Sequence, residues 1–167
     1  MELFGLWNGK EMKKQKIVFT CLMVWSCFQG FGQIKITGDV INPGLLNLNE
    51  FKTKRVSSNI KNHVGVSKKK LKNSRGVQLT EAIAGFILSD SIPKNYSKYI
   101  YTIIAKDGYF AVFSWNELYN NRVGKKVYLI NQSNSHPKDG LLLISKSDRY
   151  TGRRFVKDVV EIHIERK

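Results

Sequence analysis

The pair Asp107-Gly108 stands between Tyr99–Ala105 and Tyr109–Phe113, two runs rich in aromatic and β-branched residues. Such side chains suit a pleated, half-buried surface, and Asp-Gly readily supplies the positive φ angles of a type I′ turn. Residues 99–113 are therefore expected to form a β-hairpin. Ahead of it, Ile34, Ile36 and Gly38-Asp39-Val40-Ile41 read as an opening strand, closed by the turn residues Asn42-Pro43-Gly44. Leu45 to Phe51 reads as a short helical turn. Arg55 to Val66 alternates loosely, as one or two strands running into the basic segment Lys68-Lys69-Lys70-Leu71-Lys72. Leu79, Ala82, Ile83, Phe86 and Ile87 recur at three and four residues, the spacing of an amphipathic helix that ends near Ser89-Asp90-Ser91, before Pro93.

Beyond the hairpin, Ser114-Trp115-Asn116-Glu117 fits a capping box, in which serine and glutamate satisfy each other's backbone N–H groups at a helix start. Lys126–Asn131 reads as a strand and Gln132–Pro137 as a loop. Asp139-Gly140 leads into a further strand, Leu141–Ile144. At the end, Val160, Ile162 and Ile164 alternate with Glu161, His163 and Glu165, the pattern of a half-buried strand. With no internal repeat and no linker, the pattern is that of one mixed, strand-rich α+β domain with two short helices.

The N-terminal segment has a different character. Met12-Lys13-Lys14-Gln15-Lys16 is basic, Ile17–Phe28 is mostly apolar, and Gly30-Phe31-Gly32 offers small residues at a cleavage position. These are the parts of a secretory signal peptide, and the apolar run is shorter than the roughly 17–25 residues that span a bilayer. Residues 1–32 are accordingly read as a signal peptide with Met12 as the true start, and residues 33–167 as the domain. Lipid attachment at Cys27 is the less favoured reading, because the bulky Trp25 sits two positions before it. Both cysteines, Cys21 and Cys27, lie in the leader, so the remaining 135 residues contain none. A disulfide, a thiolate nucleophile, a zinc–thiolate site and an iron–sulfur cluster are then excluded. Of the whole-chain charge of +15, the domain keeps +13. In an exported protein that charge points away from nucleic acid and toward solubility, an anionic ligand or an anionic surface.

The order of blocks along residues 38–157 resembles the molybdopterin-binding domain of the sulfite oxidase family. The resemblance rests on Gly38-Asp39-Val40 with Asn42-Pro43-Gly44, on Leu46–Phe51, and on Arg75-Gly76-Val77-Gln78-Leu79, with Gln78 in the place of that family's proline. It continues through Asp107-Gly108-Tyr109, Ser114–Leu118, Gly140–Ile144 and Gly152-Arg153-Arg154-Phe155-Val156-Lys157. The likeness implies that fold and, through Gly152, Arg153, Arg154 and Lys157, a hold on the anionic phosphate of the pterin. Guanidinium groups suit that task because they bond phosphate oxygens in bidentate fashion. Active members also supply a cysteine thiolate to molybdenum from the interval corresponding to Thr53–Arg75. Here that interval has no cysteine, which removes a sulfur ligand from a soft metal site.

The remaining candidates are sparse. Lys68, Lys69, Lys70 and Lys72 form either an exposed basic stretch or a peripheral contact with the cell envelope. His63, His136 and His163 lack the close spacing of metal ligands, so no metal site is expected. There is no Gly-x-Ser-x-Gly elbow. Asp107 and Asp139 are explained by their Asp-Gly turns, and Trp115, Tyr109, Phe110 and Phe113 by packing. The resulting expectation is an exported, non-catalytic binding or accessory module for an anionic small molecule or a protein partner, with no cofactor required. An oxidoreductase subunit holding molybdopterin, with the metal ligand supplied elsewhere, is the alternative. A structural cell-envelope module is a third.

Overall fold

The computed structural model describes residues 33–133, 136 and 138–167. The expected signal peptide, Met12, Cys21 and Cys27 lie outside the described residues. Nine strands form two sheets: β1 (Gln33–Gly38), β2 (Gly44–Asn47), β3 (Lys54–Lys61), β4 (Ser67–Gln78), β5 (Tyr99–Ala105), β6 (Phe110–Ser114), β7 (Val127–Ser133), β8 (Leu142–Ser145) and β9 (Val159–Arg166). The five-stranded sheet runs β2-β1-β9-β5-β6 and the four-stranded sheet β3-β4-β7-β8. Every neighbouring pair is antiparallel except β1 and β9, which run parallel with Ile36 beside Ile162. Two short α-helices, α1 (Leu79–Ala82) and α2 (Trp115–Tyr119), complete a mixed, strand-rich α+β domain.

Side-chain alternation explains how the sheets are layered. In β1, β5 and β9 the buried residues Ile34, Ile36, Tyr99, Tyr101, Ile103, Ile162 and Ile164 face the main core. Their neighbours Lys35, Thr37, Ile104 and His163 turn away from it. At β7 and β8 the four-stranded sheet is instead apolar on both faces. Leu141 and Leu143 join the main core with Leu129, while Leu142 and Ile144 join a second cluster with Val56, Ile60, Leu71 and Ile130. A strand buried on both sides needs a continuous apolar run, and Leu141–Ile144 is one.

Several expectations are corrected. Leu45–Phe51 is not a helical turn throughout. Gly44–Asn47 pairs with β1, and only Leu48–Glu50 forms a 3-10 turn, capped by the Asn47 side chain. Pairing along β1 buries Leu46 and prevails over the local pattern. The helix expected to reach Ile87 stops at Ala82. Beyond it the Asn42 side chain clasps the chain, donating to the Gly85 carbonyl and accepting from the Ile87 N–H. Ile41 N–H then bonds the Ile87 carbonyl, leaving Val40 bridged to Leu88. The basic segment, with Lys68, Lys69, Lys70 and Lys72, lies on β4 and so continues the strand pattern.

The β5–β6 hairpin forms as expected, with a different turn. Ala105 O accepts from Gly108 N at 3.0 Å, and only Gly108 has positive φ, at 85°. Lys106-Asp107 is thus the centre of a type I turn followed by a left-handed glycine, the three-residue hairpin loop. The Ser114 capping box is complete: Ser114 Oγ accepts from Glu117 N, and Glu117 Oε2 from Ser114 N. In β9 a register shift beside Ala105 buries Val159 and exposes Val160, so the inward set is Val159, Ile162 and Ile164.

Candidate functional site

The β3–β4 hairpin ends in a tightly organised tip. Asn62 Oδ1 accepts from Val64 N at 3.1 Å and from Val66 N at 3.0 Å, and Asn62 N bonds Val66 O across the turn. One side chain therefore holds the loop in which His63 sits. Against the strand leading to this tip lies a 3-10 turn, Thr151–Arg154. The buried Thr151 hydroxyl fastens it there, accepting from Lys61 N and donating to Asn59 O, both at 2.8 Å. Gly152 completes the contact. A Cβ at that position would come within 2.7 Å of the Lys61 carbonyl, so the approach requires glycine.

Between the hairpin and the turn is an open cleft of about 520 Å³, lined by Ile60, Lys61, Asn62, His63, Lys69, Tyr109, Gly152 and Arg153. Its wall toward the five-stranded sheet is Tyr109, whose hydroxyl donates to the Arg153 carbonyl at 2.6 Å. Ile60 and Lys69 are register partners, so alternation on β3 and β4 turns both toward the same side. Three permanent cations and a histidine thus border one concavity, and no carboxylate lines it. Among the described residues no ion pair involves Lys61, Lys69 or Arg153. The Arg153 guanidinium lies over the Tyr150 ring, 5.9 Å from its centroid. Like charges gathered around a concave surface create a positive potential that an anion relieves.

The four residues expected at a phosphate site divide into two pairs. Gly152 and Arg153 are at the cleft. Arg154 makes a bidentate pair with Asp148, Nη2 to Oδ1 at 2.6 Å and Nε to Oδ2 at 2.7 Å, and reaches Glu117 Oε1 at 3.0 Å. Its guanidinium lies 4.2 Å from the centroid of Phe113. The bonds to Asp148 hold the guanidinium firmly protonated, and burial opposes them without prevailing. Lys157 pairs with Asp139 at 2.6 Å, beside His136 at 2.8 Å. Burial alone would raise the Asp139 carboxyl, but the hydrogen bonds from Lys157 and His136 outweigh it and hold the group below the ordinary carboxylate range.

The three histidines are in separate places: His63 at the hairpin tip, His136 against Asp139, and His163 on the outer face of β9 with Thr37. Among the described residues, no group of three or more His, Cys, Asp or Glu side chains is placed to hold a metal ion. Trp115 stacks on Tyr119 and Phe113 is core, as expected for packing residues, whereas Tyr109 and Phe110 are exposed, and Tyr109 belongs to the cleft. Lys61 and Thr151 are absent from the sequence-based candidates, and Tyr109 stands among them only as a packing residue. Of these, Lys61 had a local signal, standing at the end of an alternating strand just before the turn residue Asn62. No protein-family model matches the chain, and no curated protein matches it.

Proposed function

We propose that the chain is an exported, non-catalytic binding module whose domain takes a small anionic ligand, a phosphate- or sulfate-bearing molecule, in the cleft between the β3–β4 tip and the Thr151–Arg154 turn. The observation that carries this reading is the convergence of Lys61, Lys69 and Arg153 on one cleft without a carboxylate to neutralise them. Arg154 and Lys157, just beyond the cleft, are by contrast matched to Asp148, Glu117 and Asp139. Arg153 supplies a planar fork for two anionic oxygens, and the two lysines supply mobile point charges. Ile60 and the Tyr109 ring form the apolar part of the lining.

Molybdopterin would draw on only two of the four residues that the family resemblance assigns to its phosphate. Arg154 and Lys157 would first have to part from their carboxylates, so the set as it stands does not suit that group, and the small anion is the better-supported ligand. Calorimetric titration with inorganic pyrophosphate tests the reading. Saturable, salt-sensitive binding is expected, weakened about tenfold or more by Arg153→Ala and again by Lys69→Ala, since each removes a charge-assisted hydrogen bond. Lys35→Ala removes the same charge from the outer face of β1 and should leave the affinity unchanged. No saturable binding, or equal loss in the Lys35 variant, would refute it.

A further inference from the structure

The hairpin that walls the cleft has a second, unassigned property. Between Glu50 and Glu81 the chain carries nine Lys or Arg residues and no carboxylate. At its apex stand two valines, Val64 and Val66, at 68% and 55% exposure. The Asn62 hydrogen bonds that order the tip hold these two aliphatic side chains outward, and Gly65, at φ 80°, makes the reversal between them. Alternation along β4 places Lys69 and Lys70 on opposite faces just behind the tip, with Lys61 on β3. The result is a protruding apolar point backed by positive charge on both sides.

We propose that this tip docks on an anionic lipid surface, with Val64 and Val66 entering the boundary between headgroups and acyl chains and Lys61, Lys69 and Lys70 meeting lipid phosphates. The layering of the tip matches that of a bilayer, with apolar groups foremost and cations one strand-step behind at headgroup depth. A polyanion such as nucleic acid would use the cations but leave the two valines in water, so the membrane is the occupant that uses both features. The proposal goes beyond small-anion binding in the cleft, because neither valine lines the cleft.

The test uses the full chain and phosphatidylcholine vesicles with and without phosphatidylglycerol. Sedimentation should show binding that requires phosphatidylglycerol and weakens as salt rises. Val64→Ser with Val66→Ser, which removes the apolar groups without adding charge, should lose at least tenfold in vesicle affinity and leave pyrophosphate affinity unchanged, so the two readings fail independently. Lys70→Glu should lose about fivefold or more. A local readout removes any contribution of the N-terminal segment. With Cys21 and Cys27 replaced by serine, an environment-sensitive dye on Val64→Cys should shift to the blue on phosphatidylglycerol vesicles and not on phosphatidylcholine alone. Absence of that shift, or wild-type binding by the double serine variant, would overturn the proposal.

Discussion

Arg153 and Arg154 are adjacent in sequence and opposite in role. Arg154 spends its guanidinium inside the protein, on Asp148, Glu117 and the face of Phe113. Removing one member of a partly buried, hydrogen-bonded pair leaves the other desolvated, so Arg154→Ala should destabilise the domain by about 2 kcal/mol. Arg153 makes no ion pair among the described residues, and Arg153→Ala should change stability by less than about 0.5 kcal/mol while weakening anion binding. Urea unfolding midpoints for the two variants check both statements. Equal destabilisation would show that Arg153 is also structural. Nothing in Gly-Arg-Arg-Phe distinguishes the two residues beforehand. The difference arises from Asp148 and from Glu117, which lies 37 positions away, and only the fold brings the latter to Arg154.

At the scale of elements, the parts that form from nearby residues were legible in the chain. The Ser114 capping box needs only Ser114 and Glu117, and it appears as expected. Ser114→Ala should cost about 1 kcal/mol by leaving the Glu117 N–H without its acceptor, readable as a lowered midpoint in thermal unfolding. The β5–β6 hairpin was legible for the same reason, although the run of φ signs around Asp107-Gly108 was not. Elements decided by distant partners were not legible. The stretch Leu45–Asn47 becomes a strand because β1 offers an edge, and the helix after Gln78 is cut short because Asn42 reaches across to Gly85 and Ile87. The cleft belongs to this second class. Its halves, residues 60–69 and 152–153, are joined by Thr151, whose hydroxyl spans to Asn59 and Lys61. Thr151→Val should therefore lower stability by about 1–3 kcal/mol and weaken anion binding as the turn leaves β3. Amide hydrogen exchange at Lys61 provides the local check, with faster exchange expected in the variant.

For the whole molecule, charge is distributed unevenly. Carboxylates are concentrated where cations are structural, and they are absent from the long β3–β4 hairpin. This makes stability depend on acid in a definite direction. Asp139 is held low by Lys157 and His136 against the opposing effect of burial. Asp90 is held low first by the Ile92 N–H, against the opposing effect of burial, and further by Asn95 and Arg166. A carboxyl lowered in the folded state binds fewer protons there than in the unfolded chain. Its contribution is complete above the ordinary carboxylate value and is lost as the pH falls below about 4. Asp139→Asn should consequently be less stable than wild type near neutrality and show a flatter decline on acidification, measured as urea midpoint against pH.

The same distribution leaves Lys61, Lys69 and Arg153 unmatched around one concavity, and the account rests on an anion occupying it. Mapping amide chemical shifts by NMR during a pyrophosphate titration tests that claim most directly. Perturbations that saturate together and centre on Lys61, Asn62, Lys69, Tyr109, Gly152 and Arg153 are predicted. Shifts centred on Arg154 and Lys157, or spread evenly over the basic surface without saturation, would contradict it.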